Sequence, residues 1–214
     1  MKTKITALFI IVILVLSLAA CGGNTDTQIT QSQPDTSATQ NQPDETTGTA
    51  AEPVTNAGKT LVVFFSATGT TKGVAEKIAK VTNADIYEIK AAQTYTDADL
   101  NWHDSSSRTT KEQNDKTVRP EIASEKLNLD GYTTIYIGYP IWWGEEPRIM
   151  DTFAESYDFD GITIIPFCTS GGSGIGRSGK NLEENAGSGT WLNGERLSSG
   201  ISEAELQTGI DSLQ

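Results

Sequence analysis

The chain has 214 residues, 16 Lys and Arg against 28 Asp and Glu, and a formal charge of −12 at pH 7. Such an acidic chain is a poor partner for nucleic acid or anionic lipid. Two cysteines, Cys21 and Cys168, and one histidine, His103, exclude a disulfide framework, a His-based triad and a zinc ligand set, so no metal is expected.

The N-terminus runs Met1-Lys2-Thr3-Lys4 and then without charge from Ile5 to Ala20. A short basic segment followed by an apolar core is the outline of a secretory signal, assigned here to residues 1–20. Leu18-Ala19-Ala20-Cys21 resembles the bacterial lipoprotein box, which implies a lipidated Cys21 and an anchor of acyl chains; an ordinary cleaved signal with an incidental cysteine is the alternative. Cleavage removes Lys2 and Lys4 and no acid, which moves the charge from −12 to −14. Residues 21–58 hold Thr, Gln, Asp, Ser, Pro and Asn with almost no large apolar side chain, too little to offset the entropy of ordering. This stretch is expected to be a disordered linker reaching about 35 Å root-mean-square. Residues 59–214 are the size of one domain with one core.

The domain opens on the apolar run Leu61 to Phe65, expected as a strand, followed by Ser66-Ala67-Thr68-Gly69-Thr70-Thr71. Val74, Ala75, Ile78, Ala79 and Val81 then recur at helical spacing, with Glu76 four residues before Lys80 on the outer face. A helix starting in the hydroxyl-rich loop leaves its first N–H groups unpaired and favours an anion there. No Gly-Lys-Ser/Thr follows, so the loop suits a single terminal phosphate better than a triphosphate. An ordinary N-capped helix meets the same pattern.

Asp85 to Lys90 reads as a short outer strand, and the polar stretch from Ala91 to about Asp130 is expected to hold a helix from near Asp97 and then a connection. Thr133 to Gly138 and Gly161 to Cys168 are near-continuous apolar runs, as in parallel strands covered on both faces. Cys168 is expected to be buried as a small hydrophobe. Between these strands Pro147 stands as a first helical residue, with Ile149, Met150, Phe153, Ala154 and Tyr157 on one face. A fifth strand is expected between Thr190 and Leu197. The last helix carries a capping box of Ser202 with Glu205, a staple of Ile201 to Leu206, and Leu206, Ile210 and Leu213 on its buried side. Strands alternating with helices indicate a doubly wound α/β sheet, whose ligands sit beyond the carboxyl ends of the strands at the switch in strand order.

Three strand ends carry unusual residues. The first is Ser66 to Thr71. The second is Tyr139-Pro140-Ile141-Trp142-Trp143-Gly144, two adjacent tryptophans in a connection, where an exposed indole costs free energy unless a flat apolar group covers it. The third is Thr169-Ser170-Gly171-Gly172-Ser173-Gly174, backbone amides and hydroxyls without bulk, able to lie against the polar edge of a planar heterocycle. Gly174-Ile175-Gly176-Arg177-Ser178-Gly179 matches the glycine spacing of a dinucleotide fingerprint but begins several residues beyond its strand, with no clear strand-end acid about 20 residues later.

These motifs, in this order and spacing, resemble the flavodoxin family, specifically the short-chain proteins with a Pro-Ile-Trp-Trp-Gly loop, over Thr60 to Gln214. The resemblance implies a three-layer α/β fold with a five-stranded parallel sheet in the order 2-1-3-4-5. It also implies noncovalent FMN, its phosphate held by Ser66, Ala67, Thr68, Gly69, Thr70 and Thr71. One ring face is assigned to Pro140, Ile141, Trp142, Trp143 and Gly144, and the ring edge to Thr169, Ser170, Gly171, Gly172 and Ser173. The aromatic that the family usually carries in the third loop is missing, which leaves the other ring face open or covered from residues 91–130, with Trp102 as the candidate. The implied function is electron transfer at the outer face of the bacterial cytoplasmic membrane, with a membrane or surface flavoprotein, quinone or iron–sulfur protein as partner and no catalytic side chain required. The alternatives are an FMN-dependent NAD(P)H:quinone or flavin oxidoreductase and a non-redox module binding FMN or another phosphate ester.

Overall fold

The computed structural model describes residues 58–213; the expected signal, the lipidation site Cys21 and nearly all of the expected linker lie outside the described residues. The first strand, β1 (Lys59–Phe64), is buried on both faces from Leu61 onward and is flanked by β2 (Asp85–Glu88) and β3 (Tyr132–Pro140). Next to β3 lies β4 (Thr163–Thr169), and all pairings are parallel. The order is β2-β1-β3-β4 with a fifth position beyond β4, the doubly wound order expected, with the switch between β1 and β3.

Period-two alternation divides the core. Leu61, Val63 and Phe65 point to one face with Ile135, Ile137, Tyr139 and Ile164; Val62 and Phe64 point to the other with Tyr136 and Phe167. The first face is covered by α3 (Arg148–Glu155) and α4 (Ser178–Ala186), the second by α1 (Thr70–Thr82) and α5 (Glu203–Asp211). Gly138 makes room for the ring of Phe167, its partner in register on β4: a Cβ there would lie 2.1 Å from Cζ of that ring.

The fifth position of the sheet is filled in two pieces, β5 (Thr190–Trp191) and β6 (Glu195–Arg196), each pairing with β4. The break lies opposite Pro166. Ile164 and Cys168 accept from Leu192 and Leu197 (2.9 and 2.8 Å), so Pro166, of the same parity, faces this strand and has no N–H to give it. A Cβ at Gly194 would sit 2.5 Å from the Pro166 carbonyl oxygen, so the chain bulges past it only as glycine.

Several local expectations are corrected. Residues 97–100 form turns, and the helix of that region, α2 (Arg108–Asn114), starts only at Arg108 with Ser107 as its cap, accepting from the Thr110 amide. Pro147 is the N-cap of α3 rather than its first residue, and Tyr157 lies past its end, packed on Phe153 with centroids 4.7 Å apart. Lys80 reaches Glu203 of α5 at 2.7 Å, not Glu76. The capping box at Ser202 forms, and Ile201 and Leu206 join one cluster, but Leu213 is 48% exposed because α5 ends at Asp211. Cys168 is buried, as expected, and burial pushes its thiol up to about 11.

Candidate functional site

The three loops meet at the carboxyl end of the sheet. In the first, α1 begins after Gly69, whose φ of +85° requires the freedom of glycine. No side chain caps this helix; its first internal bond runs from the Gly73 amide to the Gly69 carbonyl, so the amides of Thr70, Thr71 and Lys72 precede the ladder. The hydroxyls of Thr68 and Thr70 are exposed and 3.4 Å apart. Thr71 is turned inward: its hydroxyl is buried and lies 2.8 Å from that of Thr169, tying the first loop to the third. Ser66 and Ala67 are half-buried, and Ala67 packs on the core.

The second loop starts later than expected, because Tyr139 and Pro140 complete β3. Ile141 donates to the Thr169 carbonyl (2.9 Å), joining the second loop to the third. Trp142 and Glu145 exchange both backbone bonds (2.9 and 3.0 Å) around Trp143 and Gly144, with φ of +51° and +84°. This is a two-residue hairpin of type I′ character, which sends the two indoles apart. Trp142 packs edge-on to Phe65 and Tyr95 at 5.7 and 5.2 Å, while Trp143 is 45% exposed in a left-handed backbone that a bulky residue rarely adopts.

In the third loop, Thr169 ends β4, and Ser170 accepts from the Gly172 amide at 3.3 Å while donating to the Ser173 carbonyl. A Cβ at Gly171, Gly172 or Gly174 would meet nothing within 4 Å, so open space adjoins this backbone. The glycines that follow serve packing. Gly176 approaches the Gly144 carbonyl and Gly179 approaches Pro166 and Tyr139, whose hydroxyl is 3.0 Å from Ser178 at the start of α4.

A cavity of about 320 Å³ lies in front of the hairpin, lined by Thr68, Ile141, Trp142 and Trp143, by Leu100 and Trp102 from the β2–α2 connection, and by Thr109 of α2. It brings together one residue of the first loop and three of the second. Ser66, Ala67, Gly69, Thr70, Thr71, Pro140, Gly144 and the third loop from Thr169 to Ser173 do not line it. Leu100 and Thr109 escaped the sequence reading; the only signal was that Leu100 and Trp102 are among the few apolar residues of a polar stretch.

Behind the hairpin sits a buried polar cluster with no local sequence signal. Arg148 donates to Asp151 (2.8 Å) and Glu145 and lies 3.4 Å from Glu146. Asn181 donates to both Glu146 oxygens (3.2 and 3.1 Å), and Asn185 donates to Asp151 (2.9 Å). Burial, reinforced by the Asp151 carboxylate, pushes the Glu146 carboxyl up to about 7; burial also raises Asp151, against the pull of Arg148. Gln113 of α2 donates to the carbonyls of Trp142 (2.8 Å) and Glu146 (3.1 Å), fastening the hairpin from the other side. Among the described residues no cluster of His, Cys, Asp and Glu is arranged to hold a metal ion.

Residues 59–213 match a family model described as Flavodoxin. A candidate flavoprotein of Bacteroides uniformis is 47% identical, with a TM-score of 0.69 over 72% of this chain and 98% of that one. A candidate flavoprotein of Bacteroides eggerthii is 43% identical, with a TM-score of 0.68 over 72% and 97%. A flavoprotein of Lactobacillus acidophilus crystallised with FMN shares the fold at 24% identity, with a TM-score of 0.56 over 73% and 98%. No curated protein matches the chain. The family match spans the whole described domain, the two Bacteroides proteins align over nearly their full length, and the sheet has the expected order: the chain belongs to the flavodoxin family.

Proposed function

We propose that the protein binds FMN and carries electrons, tethered through Cys21 at the outer face of the cytoplasmic membrane. The observation that carries this reading is the convergence of hydroxyls, open helix amides and an exposed indole at the switch between β1 and β3. The donor set fits a phosphate monoester on a flat ring. Thr68 and Thr70 offer exposed hydroxyls, and the amides of Thr70, Thr71 and Lys72 offer the positive end of α1. Ile141 and Trp143 give an apolar wall beside a cavity within the range of ligand sites, and the amides of Gly171 and Gly172 border open space where a polar ring edge can be met. Family membership and the FMN found in the Lactobacillus flavoprotein support the same group here.

When bound, FMN supplies reversible transfer of one or two electrons. The chain's own part is to bind, orient and screen. Thr71 serves through Thr169 rather than as an open ligand, holding the phosphate loop against the third loop. The hairpin holds Trp143 outward and excludes water from one side of the cavity. The hydroxyl, aliphatic and indole groups lining the cavity suit holding a ring rather than moving a proton.

The tether and the partner are tested together. Full-length protein should fractionate with membranes and, loaded with FMN and reduced, be reoxidised by membrane quinones or flavoproteins; the Cys21→Ala protein should leave the membrane. Efficient NADPH-driven quinone reduction by the purified protein, with no electron exchange at membranes, would contradict the carrier reading.

A further inference from the structure

The β2–α2 connection carries a second large exposed apolar side chain, Trp102, 67% exposed and facing the same cavity as Trp143. Two indoles from segments some forty residues apart, both left to water beside one cavity, cost free energy that a flat ligand between them would recover. The turn that holds Trp102 is built onto α2. Thr109 gives both its amide (3.2 Å) and its hydroxyl (2.6 Å) to the Asp99 carbonyl, and Thr110 donates its hydroxyl to the Asp104 carbonyl (3.0 Å). The base of the connection is pinned as well. Tyr95 donates to Glu112 (2.7 Å), and Arg108 lies 3.9 Å over the Tyr95 ring while bonding Glu112 and the Gln93 carbonyl, each at 2.7 Å.

At its far end α2 reaches the tryptophan hairpin through Gln113, which is buried and whose Nε2 serves the Trp142 and Glu146 carbonyls while its Oε1 meets no partner. Just past α2, Lys116 meets Glu145 at 3.0 Å, an exposed pair worth little. Thus α2 is a spacer with Trp102 mounted at one end and the hairpin of Trp143 at the other.

We propose that Trp102 is the second wall of the ring site, taking the place of an aromatic in the third loop, and that Gln113 is the positioning residue that sets the width of the slot between Trp102 and Trp143. This rests on the FMN reading above. It makes the β2–α2 connection, and not only the three strand-end loops, a determinant of specificity for a planar tricyclic ring over other phosphate esters.

The test is the FMN dissociation constant of the full-length chain and its variants, read by flavin fluorescence. Trp102→Ala should weaken binding roughly ten- to a hundredfold, the range for loss of one aromatic stacking partner, and Trp102→Phe should restore most of it. Gln113→Leu should weaken binding several-fold in the parent chain and clearly less in Trp102→Ala, because the width of the slot matters only while both indoles bound it, and what remains in that background is the looser hold on the Trp143 hairpin. FMN bound equally well by the parent and Trp102→Ala would overturn the proposal and leave the cofactor reading intact. An equal Gln113→Leu loss in both backgrounds would overturn the positioning role. No uptake of FMN by the parent chain would overturn both this proposal and the reading it rests on.

Discussion

Trp143 occupies the first central position of a type I′ turn, where Asn is favoured and a bulky side chain stores strain of about 1–3 kcal/mol. An exposed indole held there at a cost in stability is what the proposed ring wall requires. Trp143→Asn is expected to raise the urea midpoint while weakening FMN binding, so stability and affinity move in opposite directions. Glu146 gives the second residue-scale expectation. Its folded pKa of about 7 stands above its ordinary 4.5, so folding takes up a proton between those values. Its contribution to stability is therefore full below about pH 4.5 and is lost as pH rises through 7. Glu146→Gln, which keeps the size and stays neutral, should flatten that part of the stability–pH curve relative to the parent, as read by urea unfolding from pH 4.5 to 8. A slope unchanged by the substitution would place the proton uptake elsewhere.

At the scale of elements, what was legible in the sequence was what local chemistry decides. The run Leu61 to Phe65 is apolar at every position because both faces of β1 are covered, and Ser202 with Glu205 is a cap written within four residues. Ser202→Ala should cost about 1 kcal/mol of stability, with no change in FMN affinity, because α5 lies on the sheet face away from the tryptophan hairpin. The elements misplaced from sequence are those that owe their place to distant partners. Helix α2 has only seven residues and is held by Tyr95, Asp99 and the hairpin carbonyls, none visible as periodicity. The break between β5 and β6 answers Pro166 of the neighbouring strand, and within residues 190–197 only Gly194 marks it. The same division runs through the site. The three strand-end loops could be named in advance, since glycines, hydroxyls and paired tryptophans are local signals. The inward turn of Thr71 onto Thr169, the divergence of Trp142 from Trp143, and the contributions of Leu100, Thr109 and Gln113 depend on contacts across the fold.

At the scale of the whole molecule, the acidic charge and the switch between β1 and β3 act on the same site. A net-negative domain disfavours added negative charge on a reduced ring and so lowers its potential, an effect that weakens with salt because charges beyond about 8–10 Å are screened. The midpoint potential of FMN-loaded protein should accordingly rise as ionic strength increases, and a potential independent of salt would remove the domain charge from the account. The cofactor itself is decided by titrating the purified full-length protein with FMN and, in parallel, with riboflavin, which lacks the phosphate. Saturable uptake of one FMN per chain, with riboflavin held at least tenfold more weakly, is the expected result, since a hydrogen bond to a charged group contributes about 1.5–3 kcal/mol and the first loop offers several. Absence of FMN binding, or equal binding of the two flavins, would contradict a site built on the hydroxyls of Thr68 and Thr70 at the head of α1.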